Sequence, residues 1–327
     1  MDRFNLGPGV LSVCVAAALL AGCGVLRQAQ DDMQPPTGVP GAVPHDSALA
    51  RTNSTNYKVL YSFGAAPDGN SPRAGLIDAG GVLYGTTREG GSHECYDYST
   101  SAFHYTCGTV FRITTGGTEK VLYSFGEDPD ANAPNAALVD VGGTLYGTTE
   151  LGGSYICGYS DTGYYPCGAL FSVTKGGTEK VLHSFGSGLD GATPQAGLID
   201  VGGTLYGTTS AGGLYTCGLY VGGCGTVFSI TLGGSVKVLH NFNGTDGARP
   251  AASLIRVQGM LYGTTTEGGA YGGGTVFSLT TGGTENVLHS FGKGTDGSKP
   301  SAGLIDVQGM LYGTTRSGGG SPSCTSG

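Results

Sequence analysis

Apolar and polar positions alternate along most of this chain, in short runs separated by glycine pairs. From Ala137 the sequence reads AALVDVGGTLYGTTELGG, then a variable insert, then GALFSVTKGGTEKVLHSF. The period of two predicts strands at Ala137–Val141, Thr144–Thr149, Ala169–Thr174 and Lys180–Phe185, with Gly142-Gly143 and Gly176-Gly177 turning the chain between them. No stretch carries a helical period over a useful length. The pattern recurs: Leu-Tyr-Gly-Thr-Thr begins at Leu83, Leu145, Leu205, Leu261 and Leu311.

A four-stranded sheet of this size cannot bury both faces alone, but it can when stacked on its neighbours. Four strands per unit, repeated every fifty to sixty residues, therefore predict an all-β fold, a β-propeller of four-stranded antiparallel blades. Phe111, Phe171, Phe228 and Phe277, with Phe125, Phe185, Phe242 and Phe291, are placed to fill the spaces between blades, where each buried ring contributes about 1.5–3 kcal/mol.

The repeats lie near 76–125, 138–185, 198–242 and 254–291. A fifth begins at 304 and stops after two strands. The segment Lys58–Phe63 reads as a fourth strand without its first three, and 47–52 falls where a third strand would. The expected closure is five blades, the last built from 304–327 and 46–63; the alternative is a truncated repeat array. The folded domain spans 46–327.

The motif LYGTT, followed by glycine pairs, GTVF and VLYSF, is similar to the Gloeobacter/Verrucomicrobia-type (GloVer) repeat, over about residues 57–319. The resemblance implies a propeller-like protein tethered to the cell. It transfers no catalytic residue, because that family has no agreed activity.

The N-terminus changes the picture of where the protein works. Residues 1–22 have one basic residue, Arg3, and an apolar run from Val10 to Leu20, the form of a secretory signal. Leu20-Ala21-Gly22-Cys23 resembles the bacterial lipoprotein lipobox. That resemblance implies lipid attachment at Cys23, loss of Cys14 and, with Gly24 next, an outer-membrane or cell-surface address. Residues 23–45, with QPPTGVPGAVP, read as the anchor and an extended tether.

Composition excludes more than it selects. There are 64 glycines, no tryptophan, 12% charged residues and a net charge of −8. No basic cluster is present to follow a phosphate backbone, so no nucleic acid partner is expected. A monomer is expected, with the membrane reached through the lipid alone.

Six cysteines fall in pairs inside the three longest inserts: Cys95 with Cys107, Cys157 with Cys167, and Cys217 with Cys224. In an exported chain these predict three local disulfides. A Cys2His2 zinc site using His93 and His104 is the weaker alternative for the first pair. Cys324 is left over.

Strand alternation puts the inserts and the blade-to-blade loops on one face. That face is the candidate binding face. It carries Asp68, Asp130, Asp190, Asp246 and Asp296, each four residues before a proline. It also carries Tyr96, Tyr98, Tyr155, Tyr159, Tyr164, Tyr165, Tyr215 and Tyr220. The aspartates suit turn capping. No cofactor is expected; calcium on a ring of carboxylates is the sharper alternative, although the five sit on separate units. The tyrosines suit either sugar stacking or packing of the inserts. His183, His240 and His289 occupy one equivalent place in three different units, so they are not expected to converge.

No nucleophile elbow, metalloprotease motif or other catalytic constellation appears. Repeat symmetry around the expected channel also looks intact, and no catalytic residue is assigned. The expectation is a non-enzymatic, envelope-anchored binding or scaffold module for a glycan or protein. A glycosidase-like enzyme and a purely structural surface protein are the alternatives.

Overall fold

The computed structural model describes residues 2–3, 14–15, 57–64, 66–97, 102–104, 107–126, 129–160, 163–217 and 222–320. The described residues contain strands and no helix, so none of them forms a helix able to cross a membrane. Cys23, the tether, Tyr98, Tyr220, Cys324 and the third strand expected at 47–52 lie outside the described residues.

Four antiparallel sheets follow one another in chain order, and in each the four strands run in chain order across the sheet, with the insert strands of the first two units lying off it. The first is Ile77–Asp78, Val82–Thr87, Thr109–Thr114 and Glu119–Ser124. The second is Val139–Val141, Thr144–Gly152, Ala169–Thr174 and Glu179–Ser184, with Ala131–Pro134 added beside the long strand. The third is Ile199–Val201, Thr204–Thr209, Thr226–Thr231 and Val236–Asn241. The fourth is Ile255–Val257, Met260–Thr265, Thr275–Leu279 and Glu285–Ser290. A fifth unit contributes the pair Ile305–Val307 and Met310–Tyr312.

The recurring pentapeptide is explained residue by residue. The leucine and tyrosine point to opposite faces, as neighbours on a strand must. Leu145 packs into the seam with the first sheet and Tyr146 into the seam with the third. The glycine faces a phenylalanine on the adjacent strand, as Gly85 faces Phe111 and Gly207 faces Phe228. The first threonine ties its unit to the next: the Thr148 hydroxyl donates to the Ala196 carbonyl at 2.8 Å, and Thr86 donates to that of Ala136 at 3.2 Å. The second threonine ties its own sheet, with hydroxyl pairs Thr87–Thr109 at 2.8 Å and Thr265–Thr275 at 2.9 Å.

The sheets meet face to face through their apolar sides. Each seam carries an edge-on or tilted pair of rings, Phe125 on Phe171 at 4.9 Å, Phe185 on Phe228 at 5.1 Å and Phe242 on Phe277 at 5.1 Å. This is the predicted role of these phenylalanines, and it places the core between sheets rather than within one.

The predicted strand at Lys58–Phe63 forms no ladder among the described residues. The reason is that the inner strand it would pair with falls at 47–52. Its position is nonetheless that of an outer strand. Phe63 stacks on Phe111 at 4.9 Å. A Cβ on Gly117 would stand 2.6 Å from the Leu60 carbonyl oxygen, as one on Gly177 would from that of Leu122. Among the described residues no strand pairing joins the two ends, and the partners that closure needs, at 47–52 and beyond 320, lie outside them. Leu76 is 48% exposed, where its equivalents Leu138 and Leu254 are 4% and 1% exposed. At the other end, Ile305 and Val307 are exposed as well.

Candidate functional site

Three disulfides close the inserts as expected, Cys95–Cys107, Cys157–Cys167 and Cys217–Cys224, with Cα separations of 5.3, 5.1 and 4.9 Å. The bond between Cys95 and Cys107 removes the zinc alternative with His93 and His104. Such bonds persist in oxidising compartments, which fits an exported protein.

The bridges also anchor the next loop. The carbonyl of the second cysteine accepts the backbone N–H of the residue before each proline: Ala133 to Cys107 at 3.0 Å, Thr193 to Cys167 at 2.7 Å and Arg249 to Cys224 at 2.8 Å. Gly273 serves Lys299 in the same way at 2.8 Å. These four residues, and Ser71 at the equivalent place in the first unit, are held in the left-handed region. Ser71, Ala133, Thr193, Arg249 and Lys299 have φ between 51 and 57°. Such a conformation is uncommon for residues with a side chain.

The five aspartates hold the same loops from the other side. Asp130 accepts the Tyr123 hydroxyl at 2.9 Å and the backbone N–H groups of Gly126 and Ala131, both at 2.7 Å. Tyr61 bonds Asp68 at 2.8 Å, and His183, His240 and His289 bond Asp190, Asp246 and Asp296 at 2.8, 3.1 and 2.9 Å. Each aspartate thus meets a residue of its own outer strand, at five separate places. The histidines do not converge.

Along these outer strands, burial raises the carboxyl of Glu179 to about 7, helped by the nearby Asp130 charge. Glu285 is likewise raised to about 7, mainly by burial; His240 opposes the shift and Asp246 adds to it. Burial and the hydrogen bond to Asp130 raise the Tyr123 phenol too.

What the loops position is a pair of variable residues in each unit. The residue after the pentapeptide lies beside the residue before the proline. Ser210 N–H donates to the Thr193 carbonyl at 3.2 Å, and Thr266 to Arg249 and Arg316 to Lys299, both at 3.1 Å. In the third to fifth units these pairs surround a cavity of about 540 Å3, completed by Gln195, Glu267 and Ser301. The size is ordinary for a small-ligand site.

The cavity carries three cations and one acid. Arg249 Nε pairs with Glu267 at 3.4 Å. Lys299 and Arg316 have no ion pair among the described residues. Thr193 and Ser210 share a hydroxyl bond of 2.8 Å, and Thr266 Oγ1 donates to the Arg249 carbonyl. On one flank Gln195 reaches Glu150 at 3.0 Å. Glu150 also accepts from Asn135 and, at 3.4 Å, from Arg88.

The five predicted aspartates are not among the residues that line this cavity. Tyr155 and Tyr215 are exposed but do not line it. Tyr96, Tyr159, Tyr164 and Tyr165 lie in the insert strands Cys95–Asp97, Ile156–Ser160 and Gly163–Pro166. The expected repeat symmetry holds for the pentapeptide but fails one residue beyond it, where Arg88, Glu150, Ser210, Thr266 and Arg316 follow in turn. Sequence reading passed over these positions. The signal was there: two unlike columns beside an invariant proline and an invariant threonine.

No curated protein sequence matches the chain. Among solved structures, it is similar to a streptogramin B lyase at 13% identity and a TM-score of 0.44, covering 74% of this chain and 60% of that one. It is similar to a thermostable family-43 glycoside hydrolase at 10% identity and a TM-score of 0.39, covering 77% and 95%. It also matches an exo-β-1,3-galactanase from Phanerochaete chrysosporium at 12% identity and a TM-score of 0.44, covering 76% and 57%. The chain thus spans less than two thirds of the lyase and the galactanase. The Gloeobacter/Verrucomicrobia repeat profile matches residues 47–221 and 159–325. Together these matches cover the whole array of sheets, and the chain belongs to the Gloeobacter/Verrucomicrobia repeat family.

Proposed function

We propose that this protein is a lipid-anchored binding module of the cell envelope, a five-bladed propeller whose loop-face cavity takes an acidic glycan. The observation that carries the reading is the cavity itself. A frame repeated five times presents unlike side chains, and where they gather they leave a positive surplus on a protein of net charge −8. Anions concentrate at such a spot. Guanidinium and ammonium groups bind carboxylate or sulfate through charge-assisted hydrogen bonds. Thr193, Ser210, Thr266, Ser301 and Gln195 supply donors and acceptors for sugar hydroxyls. Among the described residues the lining has no aromatic ring, so the reading rests on charge and hydrogen bonding rather than on stacking.

Binding is favoured over hydrolysis by the acid count. Glycoside hydrolysis uses two carboxyl groups across the scissile bond. Among the described residues this cavity is lined by one, Glu267, which is engaged by Arg249. The experiment is a glycan array of the folded domain, 46–327, with neutral and uronic or sulfated saccharides, read beside a reducing-end assay. Retention of acidic saccharides without cleavage supports the reading. Release of reducing ends, or no retention of any saccharide, overturns it.

A further inference from the structure

The outer rim of each seam repeats one arrangement. A tyrosine or histidine near the end of an outer strand bonds the aspartate of the following loop. The first residue of the next outer strand stands nearby. Glu119 lies within electrostatic reach of Asp68, and Glu179 shares a groove with Tyr123 and Asp130. Val236 takes that register after His183 and Asp190, and Glu285 takes it after His240 and Asp246. Among the described residues, one seam alone therefore combines an imidazole with two carboxylates.

We propose that His240 Nε2, Asp246 Oδ2 and the Glu285 carboxylate bind one divalent transition-metal ion of the Zn2+ class at the rim between the third and fourth sheets. The three ligand atoms lie within 4.8 Å of one another. His240 Nε2 and Asp246 Oδ2 are 3.1 Å apart. Tetrahedral zinc, with bonds of about 2.0–2.1 Å, sets its ligand atoms roughly 3.3 Å apart. That pair thus stands nearly at ligand spacing before any ion arrives.

Two further features favour an ion. Glu285 Oε1 is buried and has no hydrogen-bond partner, as is true of Glu119 Oε1 and Glu179 Oε1 in the tyrosine seams, but among the described residues only here does an imidazole join the carboxylate pair. A cation would satisfy it, and two carboxylates with a neutral imidazole balance a divalent charge, so no net charge is left at the half-buried rim. Asp246 is held in place by Asn243, whose N–H reaches Oδ1 at 2.9 Å and whose amide reaches Oδ2 at 3.0 Å. Water would fill the fourth position. The imidazole selects this class over calcium, which prefers six to eight oxygens. The ion would take Nε2 of the neutral imidazole, whose single proton then sits on Nδ1. The ion would join the strand Val236–Asn241 to Glu285–Ser290 across the seam.

The other seams supply the controls. Tyrosine is native at the equivalent places Tyr61 and Tyr123, so His240→Tyr keeps a side chain this frame already accepts. Val236→Glu gives the His183–Asp190 seam the glutamate it lacks. The test uses the chain stripped with chelator. Co2+ is followed by visible absorption and Zn2+ by calorimetry, with thermal melts confirming the folding of every variant. One ion per chain is expected. His240→Tyr and Glu285→Gln should each weaken binding at least tenfold, and Val236→Glu should raise the stoichiometry to two. The proposal is overturned if the stripped protein takes up neither metal at micromolar concentration. It is equally overturned if both weakening variants bind like the parent, or if folded Val236→Glu still binds a single ion.

Discussion

Gly147 and Phe171 face each other across adjacent strands of the second sheet, and a Cβ on the glycine would stand 2.5 Å from the ring's Cζ. Gly85, Gly207 and Gly263 meet Phe111, Phe228 and Phe277 at 2.7, 2.7 and 2.6 Å in the same way. The glycine exists so that the ring can lie over the strand and still reach the next sheet. Forcing a methyl group into this space should cost about 1–3 kcal/mol, the usual cost of overpacking. Gly147→Ala is thus expected to lower the urea midpoint with little change in slope. An unchanged midpoint would mean that the ring has room to move and that the motif has another cause.

Much of this architecture was legible because it depends on local alternation. The period of two, the glycine pairs and the regular phenylalanines give strands, turns and seams without any long-range information. The half-motif at Lys58–Phe63 was harder. Its residues fit an outer strand, and Leu60 and Phe63 lie where one would, yet a ladder needs a partner that the pattern itself cannot supply. The cavity was missed for a different reason. Attention to what repeats hides what does not, and Arg249, Lys299 and Arg316 carry no motif. They gather because Pro250, Pro300 and the threonines before Thr266 and Arg316 hold the backbone, a relation visible only in three dimensions.

The disulfides bind the inserts to the loops that shape the cavity, and reduction should show it. Cys167 carries the carbonyl that receives Thr193 N–H. Replacing Cys157 and Cys167 with serine removes a bridge that closes a short loop, so a loss of about 2–3 kcal/mol is expected. Hydrogen exchange is expected to quicken at Thr193 and Gln195 more than in the seam around Phe185. Uniform loosening of the sheet would instead show that the insert acts on the core.

Glu179 gives the fold a pH dependence of known sign. Its carboxyl is raised to about 7 in the folded protein against an ordinary value of 4.5. The folded state therefore holds its proton more tightly than the unfolded chain. The stabilising contribution is complete below pH 4.5 and is lost as the pH rises through 7. The groove around it contains Tyr123, Asp130 and His183, and it is only half-buried, so solvent screening reduces the effect to about 1–2 kcal/mol. Glu179→Gln stays neutral throughout. The variant should match the parent near pH 4.5 and exceed it by that amount at pH 8. A constant difference at both pH values would place the shift elsewhere.

Lys299 and Arg316 should dominate recognition in the cavity, because Arg249 is already paired with Glu267. Both are solvent-exposed, and their carbonyl and N–H are joined at 3.1 Å, so truncating either side chain leaves the backbone frame intact. Lys299→Ala and Arg316→Ala are each expected to weaken binding of a uronic oligosaccharide by about tenfold, an ordinary effect for a lost charge-assisted hydrogen bond. Melting temperatures should not change. Association by the parent should slow steeply with added salt, and less steeply in the double variant, since the attraction they supply is screened over about 8 Å at physiological ionic strength. Glu267→Gln frees Arg249 and should strengthen the same binding. If all three variants bind as the parent does, the ligand does not enter between these side chains, and the face bearing Tyr155 and Tyr215 becomes the place to look.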